Sequence, residues 1–539
     1  MFDFKGLINA LLRRKHDDPV GDLKSATIWV QELPQNDIHQ AQQEIIKALD
    51  SLNKNSDTSL KERIRVLLYL DEKARSLQET LCREYLAALD DPTSPTRKLL
   101  PTILLFWEEM ATAYQSCLRI YARHPGSARI REQIPLLTAK ALHFHAMQAK
   151  WNHICYLPVE HQTWRHLHRL YLFAELENFD RVPVQLYPQH DDTSCASEYM
   201  QAMMLHLANP ASLTPAQIEM VDTWLDSWAR SLVIEADFRP QRQVYAVNLG
   251  DMKPARKLRR NMLGEKYRYW GIELMLVTIN KTVERLKQGE LPARLNLGED
   301  FRLPAGLELI EEIAQRWSGT STTRKHERVA AEKSLLVTTN FANIVTFLQG
   351  DQKTIRKTGM AAVYSVSEDN DAAQASNPVP SGGPELFEPN AQQWHVENES
   401  LSGYGVTFTR NTASQLRIGT LVGLKAAQGK GFGIGLVRRI SNEPPRKVEA
   451  GIQTLSQTPL LVELHPLPGE NGEPTAAVYL PELSKLQLGR SLLLPCETYA
   501  QGKLVQLKAQ GKSYTIRLQP ALERGADYVR AGFDVVAKG

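Results

Sequence analysis

Residues 398–403 read Asn398-Glu399-Ser400-Leu401-Ser402-Gly403, an Asn-x-Ser-x-x-Gly run between two segments with the composition of β-strands. The segment that follows, residues 405–409, is rich in the β-branched and aromatic residues that strands favour. Asn and Ser side chains bond to nearby backbone in turns, and Gly adopts a positive φ without steric cost. Taken alone, the run is typical of a polar turn at the end of a strand.

A second short pattern lies upstream, where helix-like periodicity gives way to strand-like periodicity. Arg324 and Arg328 form an Arg-x-x-x-Arg pair at this change. The same spacing recurs at Arg119/Arg123, Arg165/Arg169 and Arg256/Arg260. For such pairs the default interpretation is a solvated face or ion pairing along a helix. The arginine pair therefore identifies no function by itself. It becomes informative only because it precedes the run at residues 398–403.

From Arg328 onward the chain is predicted to be β-rich. Short strand-like segments punctuated by Gly and Pro lie at residues 334–339, 405–409, 435–440, 451–455 and 460–464. Many short strands at close intervals favour a barrel. Residues 365–393 are rich in Ser, Asn, Asp, Ala, Pro and Gly, which predicts a flexible insertion between two strands. The strand-like tail, residues 458–539, predicts a second β-barrel-like module.

The first part of the chain is predicted to be helical. Apolar residues recur at spacings of three and four in residues 59–89, 100–122, 128–155, 161–176, 196–208, 215–233, 267–287 and 307–317. Thr214-Pro215 is expected to cap one of these helices. Residues 243–249 interrupt the helices with strand-like alternation. Successive amphipathic helices favour a helical bundle or a solenoid-like domain.

The sequence thus predicts a multidomain α+β protein, an all-α helical domain followed by β-barrels. We assign residues 1–300 to the helical domain, with a sub-boundary near 236–262. Residues 301–323 are a connecting helix and hinge, residues 324–457 a first barrel, and residues 458–539 the C-terminal β module.

The two motifs in this order, within a β-rich region, resemble the PilZ domain family. Its signature is Arg-x-x-x-Arg at the barrel entry, followed by Asp/Asn-x-Ser-x-x-Gly on a strand and turn. Residues 435–440 and 448–455 are similar to later strands of that domain. Two departures are visible: position 398 is Asn where the family commonly has Asp, and the motifs lie about 70 residues apart, most of the excess falling in residues 365–393.

The resemblance implies a bacterial receptor for cyclic di-GMP that regulates type IV pili, flagellar motility or biofilm formation. It implies that the ligand-binding residues are Arg324, Arg328, Asn398, Ser400 and Gly403. Guanidinium groups suit this ligand because they bond bidentately to phosphates and to the O6/N7 edge of guanine. The helical domain would engage an unidentified protein partner. A PilZ-like adaptor that no longer binds ligand and acts through protein contacts remains an alternative.

Composition and charge argue against several other classes of function. The net charge of +3 on 539 residues argues against a protein that blankets nucleic acid, although the basic run at residues 253–268 leaves an acidic partner, anionic lipid or nucleic acid open. The sequence has no run of 18 apolar residues, so we expect no membrane span. Five cysteines without CxxC spacing favour a reducing cytoplasm and no metal site, with a peripheral position at the inner membrane or a cell pole left open. No nucleophile–base pattern is visible, so we expect neither catalysis nor a cofactor.

Overall fold

The chain divides into two compact units, Met1–Thr323 and Arg324–Gly539. The computed structural model describes residues 19–55, 58–91, 94–125, 127–319, 326–357, 391–409, 416–426, 432–443, 446–469, 472–509 and 511–538. Within these residues, no helix has the length and apolar character that a membrane crossing requires.

The first unit is mainly helical, as predicted. Its described residues form eleven α-helices, α1 (Leu23–Gln31), α2 (Ile38–Lys54), α3 (Leu60–Ala87), α4 (Leu100–Arg123), α5 (Ala128–Arg131), α6 (Ile134–Ile154), α7 (His161–Leu176), α8 (Cys195–Leu207), α9 (Pro215–Trp228), α10 (Glu273–Lys287) and α11 (Ala305–Trp317). Short 3-10 turns lie at Ala88–Asp90, Pro95–Leu99, Pro210–Ser212, Ala229–Ser231 and Pro292–Leu295.

One continuous apolar core holds these helices together. Helix α6 is central, packing on α4, α7, α8 and α9, and helices contact both the next helix and the next but one. Such layered packing is typical of stacked helix pairs. The predicted cap of α9 is confirmed: the Thr214 hydroxyl accepts from Gln217 N at 3.3 Å, and Gln217 Oε1 accepts from Thr214 N at 2.8 Å. This reciprocal pair satisfies two backbone donors that the first turn leaves free.

A small antiparallel sheet interrupts the helices. It has the order β2-β1-β3, with β1 (Tyr245–Asn248), β2 (Arg256–Lys257) and β3 (Tyr267–Trp270). The predicted strand at residues 243–249 is therefore confirmed, whereas the predicted helix at 267–287 is wrong over its start. Residues 267–270 pair with β1 instead, because Tyr269 and Trp270 are buried there. Local periodicity could not reveal this partner.

Three histidines of the helical unit, His145, His153 and His206, are largely removed from solvent. The rings of His153 and His206 lie 5.5 Å apart, and His153 Nε2 and His206 Nδ1 have no hydrogen-bond partner among the described residues. Burial lowers the pKa of His153 to about 3 and that of His206 to about 4. Burial likewise lowers the pKa of His145 to about 3. These imidazoles are therefore neutral in the folded protein at neutral pH.

We expect the free energy of unfolding of the helical unit to decrease as the pH is lowered from 6.5. Below this pH the histidines bind protons in the unfolded chain but stay neutral in the folded one. Each histidine therefore lowers the free energy of unfolding by about 1.4 kcal/mol per pH unit. Urea unfolding followed by tryptophan fluorescence at pH 7.5 and 5.5 measures this, since eight of the nine tryptophans lie before residue 320. His145→Gln, which removes one of the titrating groups, should flatten the pH dependence. Equal stability at the two pH values would contradict the prediction.

The second unit contains two closed antiparallel barrels, as predicted. The first has the order β4-β5-β6-β9-β8-β7 and the second β10-β11-β12-β15-β14-β13. The strands are β4 (Val329–Thr339), β5 (Gln392–Ser400), β6 (Gly403–Thr409), β7 (Leu421–Ala426), β8 (Phe432–Glu443), β9 (Lys447–Ser456), β10 (Leu460–His465), β11 (Thr475–Leu480), β12 (Ser491–Leu494), β13 (Leu504–Ala509), β14 (Lys512–Arg524) and β15 (Val529–Lys538). Two 3-10 turns lie at Ser484–Leu486 and Cys496–Thr498.

Helix α12 (Phe341–Lys357) follows β4 and was not predicted, since the chain was expected to stay β-like after Arg328. Its apolar face forms one buried cluster with residues of both barrels, including Phe432 of the first and Leu493 of the second. Asp527 Oδ2 accepts from the Phe341 backbone N–H at 2.5 Å at the start of the helix. The Tyr528 hydroxyl donates to the Gly419 carbonyl at 3.0 Å. The two barrels are thus packed together around α12.

The predicted insertion at residues 365–393 lies largely outside the described residues, except that Gln392 and Gln393 begin strand β5. The predicted fold class is confirmed: a helical domain precedes two β-barrels.

Candidate functional site

An open pocket of about 380 Å³ lies on the first barrel. It lies where the entry to β4 meets β5, β6, β8 and β9, and Arg328, Asn398, Ser400 and Gly403 all line it. Four residues predicted from two separate motifs therefore meet in one concavity. Arg324 is outside the described residues, so its role stays a prediction.

Asn398 presents an unsatisfied acceptor in this pocket. It lies on β5 opposite Gly405 of β6, and its amide oxygen is buried without a hydrogen-bond partner among the described residues. A Cβ at position 405 would come within 2.7 Å of that oxygen, so glycine makes room for the side chain. A buried acceptor without a partner is costly, which favours a rearrangement of the Asn398 side chain that gives this oxygen a donor.

Ser400 and Gly403 close the turn between β5 and β6. They are paired across the strands, with Leu401 and Ser402 as the two-residue loop. The Ser400 hydroxyl lies 3.1 Å from Ser402 Oγ and 3.4 Å from the Gly403 carbonyl oxygen. Thr454 N on β9 donates to the Ser402 carbonyl at 3.0 Å, which ties the turn to the barrel. The turn thus holds two hydroxyls at the rim of the pocket.

Three glycines, Gly403, Gly405 and Gly451, form the floor of the pocket. Gly405 and Gly451 are directly paired between β6 and β9, and Gly403 is paired with Gln453. Gly403 has a φ of +154°, and a Cβ there would lie 1.9 Å from the Ile452 carbonyl oxygen. Only glycine fits this approach of the turn to β9. The glycine floor thus lets the turn approach β9 and lets the side chains of Asn398 and Arg439 pack directly on the strands.

Arg328 is exposed and directly precedes β4. Because it stands at the start of a strand and at the edge of the pocket, its long side chain can reach a ligand over the floor. Its position agrees with the role that the PilZ resemblance implies.

Two further arginines line the pocket and were missed as site residues by the sequence analysis. Arg438 and Arg439 are consecutive on β8, yet both are exposed, because the register of β8 with β9 shifts between Val437 and Arg439. A β-bulge of this kind places an extra residue in the strand and redirects its side chain. Two adjacent charges in an otherwise buried strand break the period of two and were the available signal.

The pocket also contains two carboxylates, Glu397 and Glu449. Lys447 lies beside the pocket, at 3.7 Å from Glu397 and 3.1 Å from Glu449, and it also pairs with Glu443 at 3.5 Å. The hydrogen bond that Lys447 donates to Glu449 is the largest cause of the raised pKa of Lys447, which keeps this lysine charged. The pocket lining thus has three arginines and two carboxylates, an excess of positive charge that favours an anionic ligand.

The basic run at residues 253–268 takes different positions in the first unit. Arg268 is buried and binds Glu175 through Nη2 at 2.6 Å, so it has a structural role. Its predecessors Lys253, Arg256, Arg259 and Arg260 are exposed. Binding of an acidic partner by this run stays a prediction.

Known proteins resemble the chain along most of its length. A family model described as the N-terminal domain of the cyclic-di-GMP receptor FimW matches residues 24–240. The middle PilZ domain of that receptor matches residues 366–459, and the FimW C-terminal beta-barrel domain matches residues 461–536. The PilZ match covers Asn398, Ser400 and Gly403 and begins after Arg328.

The cyclic-di-GMP receptor FimW of Pseudomonas aeruginosa is 20% identical over 554 residues, which span 91% of this chain and 86% of the relative. No solved structure matches the chain.

Proposed function

The chain belongs to the family of PilZ-domain receptors, and from this premise we propose that it is a cyclic di-GMP receptor whose ligand binds in the pocket of the first barrel. The observation that carries the proposal is the convergence of Arg328, Asn398 and Ser400 on one glycine-floored pocket. Residues 70 positions apart in sequence meet there as the family signature requires.

The chemistry of the pocket suits this ligand. Cyclic di-GMP has two phosphates and two guanines. Arg328 and Arg439 can form bidentate contacts with phosphate oxygens or with the O6/N7 edge of guanine. The buried acceptor of Asn398 suits a guanine N–H donor, and it does so without the negative charge of an aspartate. The Ser400 hydroxyl can hydrogen-bond to phosphate.

Removal of Arg328 is expected to weaken cyclic di-GMP binding by about 10- to 100-fold, because charge-assisted contacts contribute about 1.5–3 kcal/mol each. Ser400→Ala, which removes one neutral hydroxyl, should weaken binding by roughly five- to tenfold. Arg324→Ala tests the arginine that the resemblance places beside Arg328. Calorimetric titration of the full chain with cyclic di-GMP measures each dissociation constant.

Arg446→Ala is the matched control, since Arg446 is an exposed arginine of the same barrel that does not line the pocket. Its affinity should equal that of the unaltered chain. If the unaltered chain does not bind cyclic di-GMP, the barrel is a scaffold, and the protein acts as an adaptor through contacts of its helical domain.

We further propose that the protein acts by binding rather than by catalysis, in the bacterial cytoplasm. The helical unit would bind a protein partner, and the output would be control of type IV pili, flagellar motility or biofilm formation. Affinity capture with the helical unit's exposed basic residues altered (Arg256, Arg259 and Arg260 to Ser) would show whether that surface contacts the partner.

A further inference from the structure

Arg438 joins the ligand pocket to the second barrel. Its Nε–H donates to Gln453 Oε1 at 2.7 Å, and its Nη1 lies 2.6 Å from Glu523 Oε1. Gln453 is on β9 of the first barrel and lines the pocket, whereas Glu523 is on β14 of the second barrel. One pocket arginine is therefore held from two sides by residues of different barrels.

These two contacts occupy only part of the guanidinium group. Arginine has five N–H donors in a planar fork, and the bonds to Gln453 and Glu523 use two of them. The side chain remains 44% exposed at the pocket. The remaining donors are available to an anionic ligand, while the orientation of the plane is already set.

Glu523 is a well-anchored partner. Its side chain is only 16% exposed, and it is paired on β14 with Arg530 of β15. Arg530 is buried and its Nε–H donates to Ser491 Oγ at 3.1 Å. Burial lowers the pKa of Arg530, and Glu523 opposes that shift while Arg438 adds to it. Glu523 thus compensates two guanidinium groups, one in each barrel.

The second barrel cannot easily move away from the pocket. Helix α12 and residues of both barrels share one apolar cluster, and Tyr528, close to Glu523 in sequence, donates to the Gly419 carbonyl of the first barrel. The carboxylate is therefore fixed relative to the pocket floor. As a partly exposed ion pair, the Arg438–Glu523 contact adds little to folding stability, so its effect on the orientation of Arg438 is the larger one.

We propose that the second barrel completes the ligand site of the first, with Glu523 as a positioning residue that orients Arg438 toward the ligand. The inference rests on the proposed function and extends it, because it gives the C-terminal barrel a part in ligand affinity. A free arginine at the surface samples many rotamers and loses that freedom on binding. Glu523 and Gln453 impose that order before the ligand arrives.

A double-mutant cycle tests the proposal by calorimetric titration of the full chain with cyclic di-GMP. Glu523→Gln removes the charge at nearly constant shape and is expected to weaken binding about three- to tenfold, the cost of ordering one long side chain. Arg438→Ala should weaken it more. In the Arg438→Ala background, Glu523→Gln should have no further effect, because Glu523 acts through Arg438.

Two more variants separate positioning from folding. Glu523→Asp keeps the charge that compensates buried Arg530 but withdraws it from Arg438, so binding should weaken while thermal unfolding stays unchanged. Glu463→Gln removes a carboxylate of the second barrel that is 66% exposed and pairs with His465, and it should leave affinity unchanged. A general effect of charge would instead alter both titrations equally.

The outcomes are distinct. If the unaltered chain does not bind cyclic di-GMP, the proposed function and this inference both fall. If it binds but Glu523→Gln and Glu523→Asp bind equally well, or if the Glu523 and Arg438 effects are independent, only the role of the second barrel is overturned. Tighter binding by Glu523→Gln would show that Glu523 withholds Arg438 from the ligand, which also contradicts positioning.

Discussion

Replacing Gly403 with valine is expected to abolish cyclic di-GMP binding and to destabilise the first barrel. The residue has a φ of +154°, and a Cβ would stand 1.9 Å from the Ile452 carbonyl oxygen and 2.9 Å from its carbon. Backbone atoms of a paired strand cannot yield as a flexible side chain can. The turn would have to leave β9, which we expect to cost about 4 kcal/mol or more.

Hydrogen–deuterium exchange of β6 and β9 locates this damage, and calorimetric titration measures the loss of binding. Gly489→Val is the matched control, because a Cβ at that exposed glycine of the second barrel would have no atom of the described residues within 4 Å. Gly405→Ala should be intermediate, since its Cβ would meet the Asn398 side chain rather than backbone. It should weaken binding while the barrel stays folded. Full affinity in Gly403→Val would contradict the claim that ligand binding requires glycine at this approach of the turn to β9.

Replacing Asp71 with alanine is expected to destabilise the helical unit by about 3–5 kcal/mol, the range for breaking a buried ion pair. Asp71 is 1% exposed and accepts from Lys140 Nζ at 2.6 Å and from the Tyr114 hydroxyl at 2.5 Å through Oδ2. Its Oδ1 accepts from the Tyr187 hydroxyl at 2.8 Å. Alanine would leave a buried ammonium group and two phenols without their acceptor.

Urea unfolding by tryptophan fluorescence measures this loss. Burial holds the pKa of Tyr114 and that of Tyr187 well above the ordinary value, so both stay protonated and require an acceptor. Lys47→Ala is the control, since Lys47 and Glu44 form an exposed ion pair of similar length, 2.8 Å. Exposed pairs contribute about 0–1 kcal/mol. Similar losses in the two variants would mean that burial of the Asp71 cluster is unimportant.

The proposed role of Glu523 has a thermodynamic consequence. Coupling between two sites is reciprocal, so a contact that favours ligand binding is itself favoured by the ligand to the same extent. Cyclic di-GMP would then strengthen the contact between Arg438 and Glu523. Ligand binding in the first barrel would thus change a contact made by the second barrel.

Sequence reasoning succeeded where the signal was local. The turn at residues 398–403 could be predicted because Asn, Ser and Gly have specific backbone preferences, and the cap at Thr214 because proline suits the first helical position. Helix α12 was missed because its 17 residues lie between strand-like regions, within a part of the chain that was expected to stay β-like. Residues 267–270 were assigned to a helix because their partner strand lies about 20 residues upstream.

The site was also predicted only in part, because only some of its residues belong to local sequence motifs. Arg328, Asn398, Ser400 and Gly403 belong to short motifs, and the pocket contains all four. Arg438 and Arg439 belong to no such motif, and only the bulge against β9 turns both outward. The unsatisfied oxygen of Asn398 likewise depends on the absence of a side chain at Gly405, across the strand pair.

The sequence by itself determined the order of a helical domain and two barrels, together with the polar turn that lies at the pocket, since periodicity and backbone preference act over a few residues. Tertiary structure alone decided that the turn, the entry to β4 and the bulge of β8 meet around a glycine floor. It also decided that Glu523 of the second barrel reaches Arg438 beside that turn. Such contacts depend on strand register and barrel closure, which bring together residues far apart along the chain.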